Sequence, residues 1–328
     1  MRSLRFPLLV VVVAIACGGQ FAPQTLVASV RIIVTRSDKP FAKPGDTVSL
    51  EALVVDQRPV KARPMKNYWI PFACTNPRDD LYYACFSALT PNAGPPGTTG
   101  MGLPGFLRPG SDITGFLRVG ATYDFMVPAD IISSHPPAPG ADAPYGLSIV
   151  FFIACAGRVK IANIDPTSKN PQLRPIQCTD DDGNELSPDD WVFAFTRVYA
   201  YETLTNANPV ISAVTLDGNP VTVSDGITVA PCMGKKCTTY KLGADVPDSS
   251  WEPSRDQHEA IYSTFYYTEP VGDFDSDGRV IFDGAKGKID DHAVTLTPKA
   301  KPGEGTIWII VQDTRGGATW VELPVHVK

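Results

Sequence analysis

The chain has 328 residues, 20% of them charged, and a formal net charge of −6. That balance argues against a nucleic-acid partner, whose phosphates select basic patches, and the length suffices for about two domains with cores of their own. Glycine and proline number 27 and 31, above the usual share, so loops and turns are expected to be plentiful.

Residues 1–16 come first in chain order. Arg2 and Arg5 precede an apolar run, 6–15, and small residues stand at Ala14 and Ala16 just before Cys17. A spanning helix needs roughly 20 apolar residues and this run is about half that, the pattern of an export signal rather than a membrane span. Without Arg2 and Arg5 the net charge becomes −8. Ala14-Ile15-Ala16-Cys17 resembles the lipobox of bacterial lipoproteins, with Ala14 where leucine is commoner. The resemblance implies cleavage before Cys17 and a lipid on its sulfur, and several acyl chains together anchor stably. Gly18 in place of aspartate implies, by the same resemblance, the outer membrane of a Gram-negative cell as destination. Residues 17–26 then read as a tether.

Two β-branched, partly alternating runs, 27–35 (VASVRIIVT) and 47–56 (TVSLEALVVD), flank a turn at Pro44-Gly45-Asp46 and predict an antiparallel pair. Further strands are predicted at 67–74, 121–127, 146–156 and 191–201. No window of a dozen residues keeps an apolar stripe of helical period free of proline and glycine, so long helices are not expected. Residues 91–120 form a long Gly/Pro-rich insertion in which Gly105-Phe106-Leu107-Arg108 repeats as Gly115-Phe116-Leu117-Arg118, the expected arms of a hairpin. It reads as a lid over an open sheet edge, which would otherwise invite aggregation. The alternative is a partner-binding loop with exposed Phe and Leu. Residues 135–146 form a second such loop.

Residues 202–209 (ETLTNANP) break the strand pattern and mark the boundary between a first domain, 27–203, and a second, 208–328. In the second, strands are predicted at 210–216, 227–231, 238–242, 260–267, 293–297, 306–313 and 318–327. The last two are joined by Thr314-Arg315-Gly316-Gly317, a hairpin turn in which glycine takes positive φ. Six or seven short strands in about 120 residues is the count of an immunoglobulin-like sandwich. The fold class expected is therefore all-β: two immunoglobulin-like β-sandwich domains, the first with long Gly/Pro-rich insertions.

Apart from Cys17 the chain has six cysteines, an even number behind an export signal, so disulfides are expected. Their order favours three sequence-local pairs, Cys74 with Cys85, Cys155 with Cys178 and Cys232 with Cys237. Zinc is the rival, but no Cys-x-x-Cys occurs and the histidines (135, 258, 292, 326) lie far from the cysteines in sequence.

The stretches 151–159 (FFIACAGRV), 195–211 (FTRVYAYETLTNANPVI) and 305–327 (GTIWIIVQDTRGGATWVELPVHV) resemble uncharacterised lipoproteins of myxobacteria and related Gram-negative bacteria. The last is also similar to the closing hairpin of bacterial immunoglobulin-like and PKD-like domains. The resemblance implies a cell-envelope protein and brings no catalytic residues with it.

Asp273, Asp275 and Asp277 alternate and are followed by Gly278 and then Asp283, as a calcium loop needs for oxygen ligands to converge while the chain turns sharply. The closing glutamate of an EF-hand is missing: its place is Gly284, and Asp283 falls one residue early. A solvated acidic loop between two strands is the competing reading. A second acidic run, 180–185, lacks the alternate spacing and reads as a turn. His258-Glu259 opens like a zinc-protease helix, but Tyr262 stands where the second histidine belongs, so surface polar sequence is expected. No Gly-x-Ser-x-Gly elbow, phosphate-cradling loop or dinucleotide fingerprint after a strand is present. Trp69, Trp191, Trp251, Trp308 and Trp320 have the rings to stack on sugars but are expected in the cores. These readings converge on a non-catalytic cell-envelope lipoprotein with a structural, adhesion or protein-interaction role. It meets the membrane through its anchor and has an envelope protein or a glycan as partner. The alternative is a calcium-assisted glycan-binding module.

Overall fold

The computed structural model describes residues 23–86, 109–136, 140–141, 143–162, 175–234, 237–252 and 259–328. Cys17, the first copy of the Gly-Phe-Leu-Arg repeat and His258 lie outside them.

Twenty-one strands and a few short 3-10 turns build the described chain, which is all-β as expected. The first ten strands are β1 (Val30–Ser37), β2 (Phe41–Ala42), β3 (Thr47–Asp56), β4 (Lys66–Thr75), β5 (Arg118–Val119), β6 (Thr122–Met126), β7 (Tyr145–Cys155), β8 (Arg158–Ile161), β9 (Ile176–Thr179) and β10 (Trp191–Tyr201). They form a three-stranded sheet, β1-β3-β6, facing a five-stranded one, β2-β10-β7-β4-β5, with β8 and β9 as a separate hairpin. The runs 27–35 and 47–56 do pair antiparallel, from Val30 opposite Asp56 to Ser37 opposite Leu50. Between them the chain detours: β2 leaves for the other sheet and pairs parallel with Tyr199 and Ala200 of β10.

The remaining strands are β11 (Ala213–Leu216), β12 (Asn219–Val221), β13 (Ile227–Val229), β14 (Tyr240–Asp245), β15 (Ile261–Tyr267), β16 (Gly272–Phe274), β17 (Gly278–Asp283), β18 (Gly287–Lys288), β19 (Val294–Pro298), β20 (Gly303–Asp313) and β21 (Ala318–Val327). A five-stranded sheet, β12-β11-β14-β19-β16, faces a six-stranded one, β13-β21-β20-β15-β17-β18. Here too a short strand, β13, lies parallel to the last long one, β21, so both halves are immunoglobulin-like sandwiches of the same plan.

Strand β15 (IYSTFYY) alternates buried and half-exposed residues. Such alternation marks a strand covered on one face. Its buried set, Ile261, Phe265 and Tyr267, meets Leu242, Leu296, Ile307, Ile309, Leu323 and Val325 in the second sandwich's core. In contrast, β7 (YGLSIVFFIAC) is buried from its second residue to its last, the pattern of a strand covered on both faces. Its inward side chains Val150 and Phe152 pack with Trp69, Val48 and Leu50 between the sheets. Its outward ones, Leu147, Ile149, Phe151 and Ile153, lie in a second apolar layer with Tyr68, Ile113, Val159, Ile161 and Trp191.

Among the described residues that outer layer is covered by Cys85, Phe86, Ile113 and Leu117 and stapled by two of the three disulfides, which join the expected neighbours: Cys74 with Cys85, Cys155 with Cys178, and Cys232 with Cys237. The first ties the end of β4 to a 3-10 turn, and the second ties β7 to β9. The β8–β9 hairpin presses so closely that a Cβ on Gly157 would collide with the Thr179 carbonyl. The second copy of the repeat supplies the 3-10 turn Thr114–Phe116 and β5, which lies along β4 at Tyr68 and Trp69. Of the predicted repeat hairpin only this arm is described, and its strand partner is β4.

The two sandwiches share a small core. Val27, Val34 and Val55 of the first meet Trp308, Ile310 and Ala318 on the outer face of the second. The linker is pinned to both: the Asn208 side chain donates to the Ser37 carbonyl (2.7 Å) and accepts from Ala318 N (2.9 Å). Asn206 Nδ2 donates to Asp313 Oδ2 at 3.1 Å, and the Arg36 guanidinium sits 4.3 Å above the Trp320 ring. Thr25 and Leu26, expected in the tether, are held by the second sandwich. Leu26 bridges to Tyr267 in parallel, and Thr25 Oγ1 donates to Asp277 Oδ1 at 3.0 Å.

Candidate binding cleft

Strand β10 alternates strictly between bulky and small side chains. The even positions Ala194, Val198 and Ala200 point into the core between the sheets. The odd positions Trp191, Phe193, Phe195, Arg197, Tyr199 and Tyr201 point outward, at a spacing of about 6.6 Å set by the strand repeat. The cystine-stapled cover reaches Trp191, Phe193 and Phe195, where Tyr82 stacks on Phe195 with centroids 4.4 Å apart. Among the described residues, the same layer packs also against Tyr199 and Tyr145, and Arg197 is the exposed outward residue of the strand.

A cleft of about 890 Å³ opens at the junction of the two sandwiches. One side, the floor, is Phe195, Thr196, Arg197, Tyr199 and Tyr201 of β10, with Thr35 of β1, Pro40, Phe41 of β2 and Tyr145 of β7 beside them. Strand register explains the grouping, since Tyr201 lies opposite Tyr145 and Tyr199 opposite Phe41. The facing wall comes from the second sandwich: Gln312, the hairpin residues Thr314, Arg315 and Gly316, and Glu252. Linker residues Thr203, Leu204 and Thr205 close one side.

The floor is preorganised. Asp80, in the left-handed region at φ 56°, accepts a hydrogen bond from the Tyr145 hydroxyl and lies 3.0 Å from His135 Nε2. The His135 ring packs on Tyr145, and Tyr145 lies 5.7 Å from Tyr199 and 5.9 Å from Tyr201. Burial, reinforced by the Asp80 carboxylate, pushes the Tyr145 phenol up from its ordinary value, so at neutral pH it stays a hydrogen-bond donor. Burial raises Tyr199 as well, with the Arg197 charge acting the other way. Arg197 is exposed, and its guanidinium lies 5.0 Å from the Phe195 centroid.

The wall is fixed by Asp313, whose carboxylate accepts from Arg315 N (2.7 Å) and Gly317 N (2.8 Å) across the hairpin turn. Gly316 takes φ 97° there, as the sequence suggests. Behind Arg315 sits Glu259, 4% exposed, so the expectation of surface polar sequence at His258-Glu259 is corrected for the glutamate. It accepts from Glu252 N at 2.7 Å and closes the neck of the 252–259 segment, with Arg315 Nε 3.8 Å from its carboxylate. Burial pushes its carboxyl up to about 7.

The carboxylates of the acidic loop are tied to separate partners. Asp273 pairs with Lys299 at 2.6 Å, Asp275 with Arg279 at 2.9 Å and with Thr295 N at 2.8 Å, and Asp277 accepts from Thr25. Asp283 accepts from Ala285 N and Lys286 N, which hold its carboxyl below the usual range. Asp273 and Asp283 stand on different sheets, in β16 and β17. Each of the four carboxylates thus has its own partner, and among the described residues no group of three His, Cys, Asp or Glu is placed to hold a metal ion. The second acidic run forms a turn, in which Asp180 accepts from Asn184 N at 2.9 Å.

Trp69, Trp191 and Trp308 lie in cores as expected. The open stacking surface consists instead of Phe and Tyr on β10, and the readable signal for it is the alternation FAFTRVYAY within 193–201. Three cystines mark a protein of an oxidising compartment, secreted or envelope-exposed. Among the described residues no helix is long and apolar enough to cross a membrane.

No protein-family model matches the chain, and no curated protein matches it. Among solved structures it is similar to the fibronectin(III)-like modules of Clostridium thermocellum CbhA, at 12% identity over 90% of this chain and 94% of that one, TM-score 0.22. It is similar also to three N-terminal domains of the bacteriophage RB49 outer capsid protein Hoc, at 11% identity over 92% and 99%, TM-score 0.18. A third is the set of extracellular domains 3–5 of Drosophila OTK, at 9% identity over 94% and 98%, TM-score 0.16. At these TM-scores the fold rests on the sheet topology described above.

Proposed function

We propose that this protein is a non-catalytic bacterial envelope lipoprotein, anchored through Cys17, that binds a cell-surface component in the cleft between its two sandwiches. The observation that carries the reading is the cleft along β10. Among the described residues, exposed Arg197 and half-buried Phe195, Tyr199 and Tyr201 line it on the face where Trp191 is buried, together with residues of the second sandwich. Concave, largely preformed surfaces with convergent polar groups are where ligands bind.

Hydrolysis finds little support. Glu252 is the one carboxylate among the described cleft-lining residues, whereas glycosidases need two flanking the bond. Glu259 is held behind the wall by Glu252 N and Arg315. The lipid anchor rests on residues 1–17, and the envelope location on that signal together with the cystines.

Two measurements test the reading. Metabolic labelling with a clickable palmitate analogue should mark the wild-type protein and leave Cys17→Ala unmarked. The purified mature chain should co-sediment with protein-stripped envelope fragments, and the double variant Tyr199→Ala, Tyr201→Ala should lose most of that binding. Equal sedimentation of wild type and variant would remove the cleft from the function.

A further inference from the structure

We infer that the cleft ligand is a saccharide chain carrying a carboxylate, stacked on Tyr199 and Tyr201 and read by Arg197; this rests on the cleft being the binding surface. Pyranose rings offer one face of C–H groups and a rim of hydroxyls. The cleft offers the complement: phenol rings on its floor, hydroxyl, amide and guanidinium groups on its sides. The aromatic residues stand two apart along a strand paired with β7 throughout and with β2 at Tyr199, so their spacing is fixed before any ligand arrives. The Tyr145 proton is committed to Asp80, while burial keeps the Tyr199 phenol protonated beside the ring faces.

Charge completes the assignment. Of the two cations among the cleft-lining residues, Arg315 is matched by Glu252 and Glu259, each at 3.8 Å. Arg197 is exposed and forms no ion pair among the described residues; its guanidinium lies over the Phe195 ring. A planar guanidinium held on an aromatic face is set to grip a carboxylate with two parallel hydrogen bonds. A single such arginine among the described cleft residues, in a chain of net charge −6, suits a sparsely charged sugar and not a dense polyanion, which the whole-protein field would repel.

The test uses an oligosaccharide of three neutral pyranoses and one glucuronate, alongside its carboxyl-reduced form. Both are titrated by calorimetry into the full mature chain at low and physiological salt. The acidic probe should bind about fivefold more tightly than the reduced one, the scale of one solvent-accessible ion pair. Arg197→Ala, at an exposed position, should erase that difference and leave the reduced probe unchanged. Tyr201→Ala should weaken both probes by roughly tenfold, and its melting curve should match the wild type's. If neither probe binds while envelope fragments still sediment with the protein through Tyr199 and Tyr201, the saccharide assignment is wrong and the cleft stands, with a protein partner next in line. Equal binding of both probes by the wild type would refute the role of Arg197. Loss of probe and envelope binding alike would take down both readings.

Discussion

In the first sandwich the outward face of β7 is buried as deeply as its inward face, whereas in the second the outward face of β20 and β21 packs, among the described residues, against Val27, β1 and β3 of the first. One sheet acquired its cover from its own insertions, stapled by cystines. The other borrows a cover from the neighbouring domain. Among the described residues the cleft lies where these two packing regions meet, lined by β10 on one side and by 312–316 on the other.

Breaking the comparison at its deepest point should have the largest effect. Trp69→Ala in the first core and Phe265→Ala in the second should each cost about 3–5 kcal/mol in urea unfolding, because both residues are fully buried. The cover itself is tested by Cys155→Ser with Cys178→Ser. Their 23-residue separation makes the cystine's contribution about 3 kcal/mol in the chain-entropy model. Hydrogen exchange should then rise in β8, β9 and the roof over Phe151, with the second sandwich unchanged. A uniform rise through both sandwiches would show that the cover is no separate layer.

A smaller effect concerns the wall of the cleft. Glu259 titrates near 7 when folded against an ordinary 4.5, so the native state holds the proton more tightly. The stabilisation is fully present below about pH 4.5 and is lost as pH rises through about 7. Glu259→Gln should flatten that slope in melting experiments from pH 4.5 to 8. At pH 8 it should be the more stable form by about 3 kcal/mol. The smallest effect is at the linker: Asn208→Ala removes two hydrogen bonds between domains and should cost about 1 kcal/mol. It should also begin to separate a single calorimetric transition into two.

Much of the fold is legible from residues. The runs 47–56, 191–201 and 318–327 coincide with β3, β10 and β21, because each pairs β-branched or aromatic alternation with clear turn chemistry at its ends. Strands of two to four residues, such as β2, β8 and β18, carry too few alternations to register. Asp217-Gly218 is a signal that the strand pattern alone passes over: both residues take positive φ in the tight turn between β11 and β12, the favoured chemistry for a two-residue hairpin. The candidate site is less legible. The alternate aspartates have the spacing of calcium ligands, yet lysine, arginine and backbone partners brought in by the fold satisfy them. The cleft depends on how one sandwich leans on the other, and no local pattern encodes that.

The most direct test of the cleft as the binding surface is hydrogen exchange of the full mature chain, with and without protein-stripped envelope fragments. Slower exchange confined to 195–205 and 312–317 is the expected result. Protection at the acidic 273–283 segment instead, with the β10 amides unchanged, would contradict it.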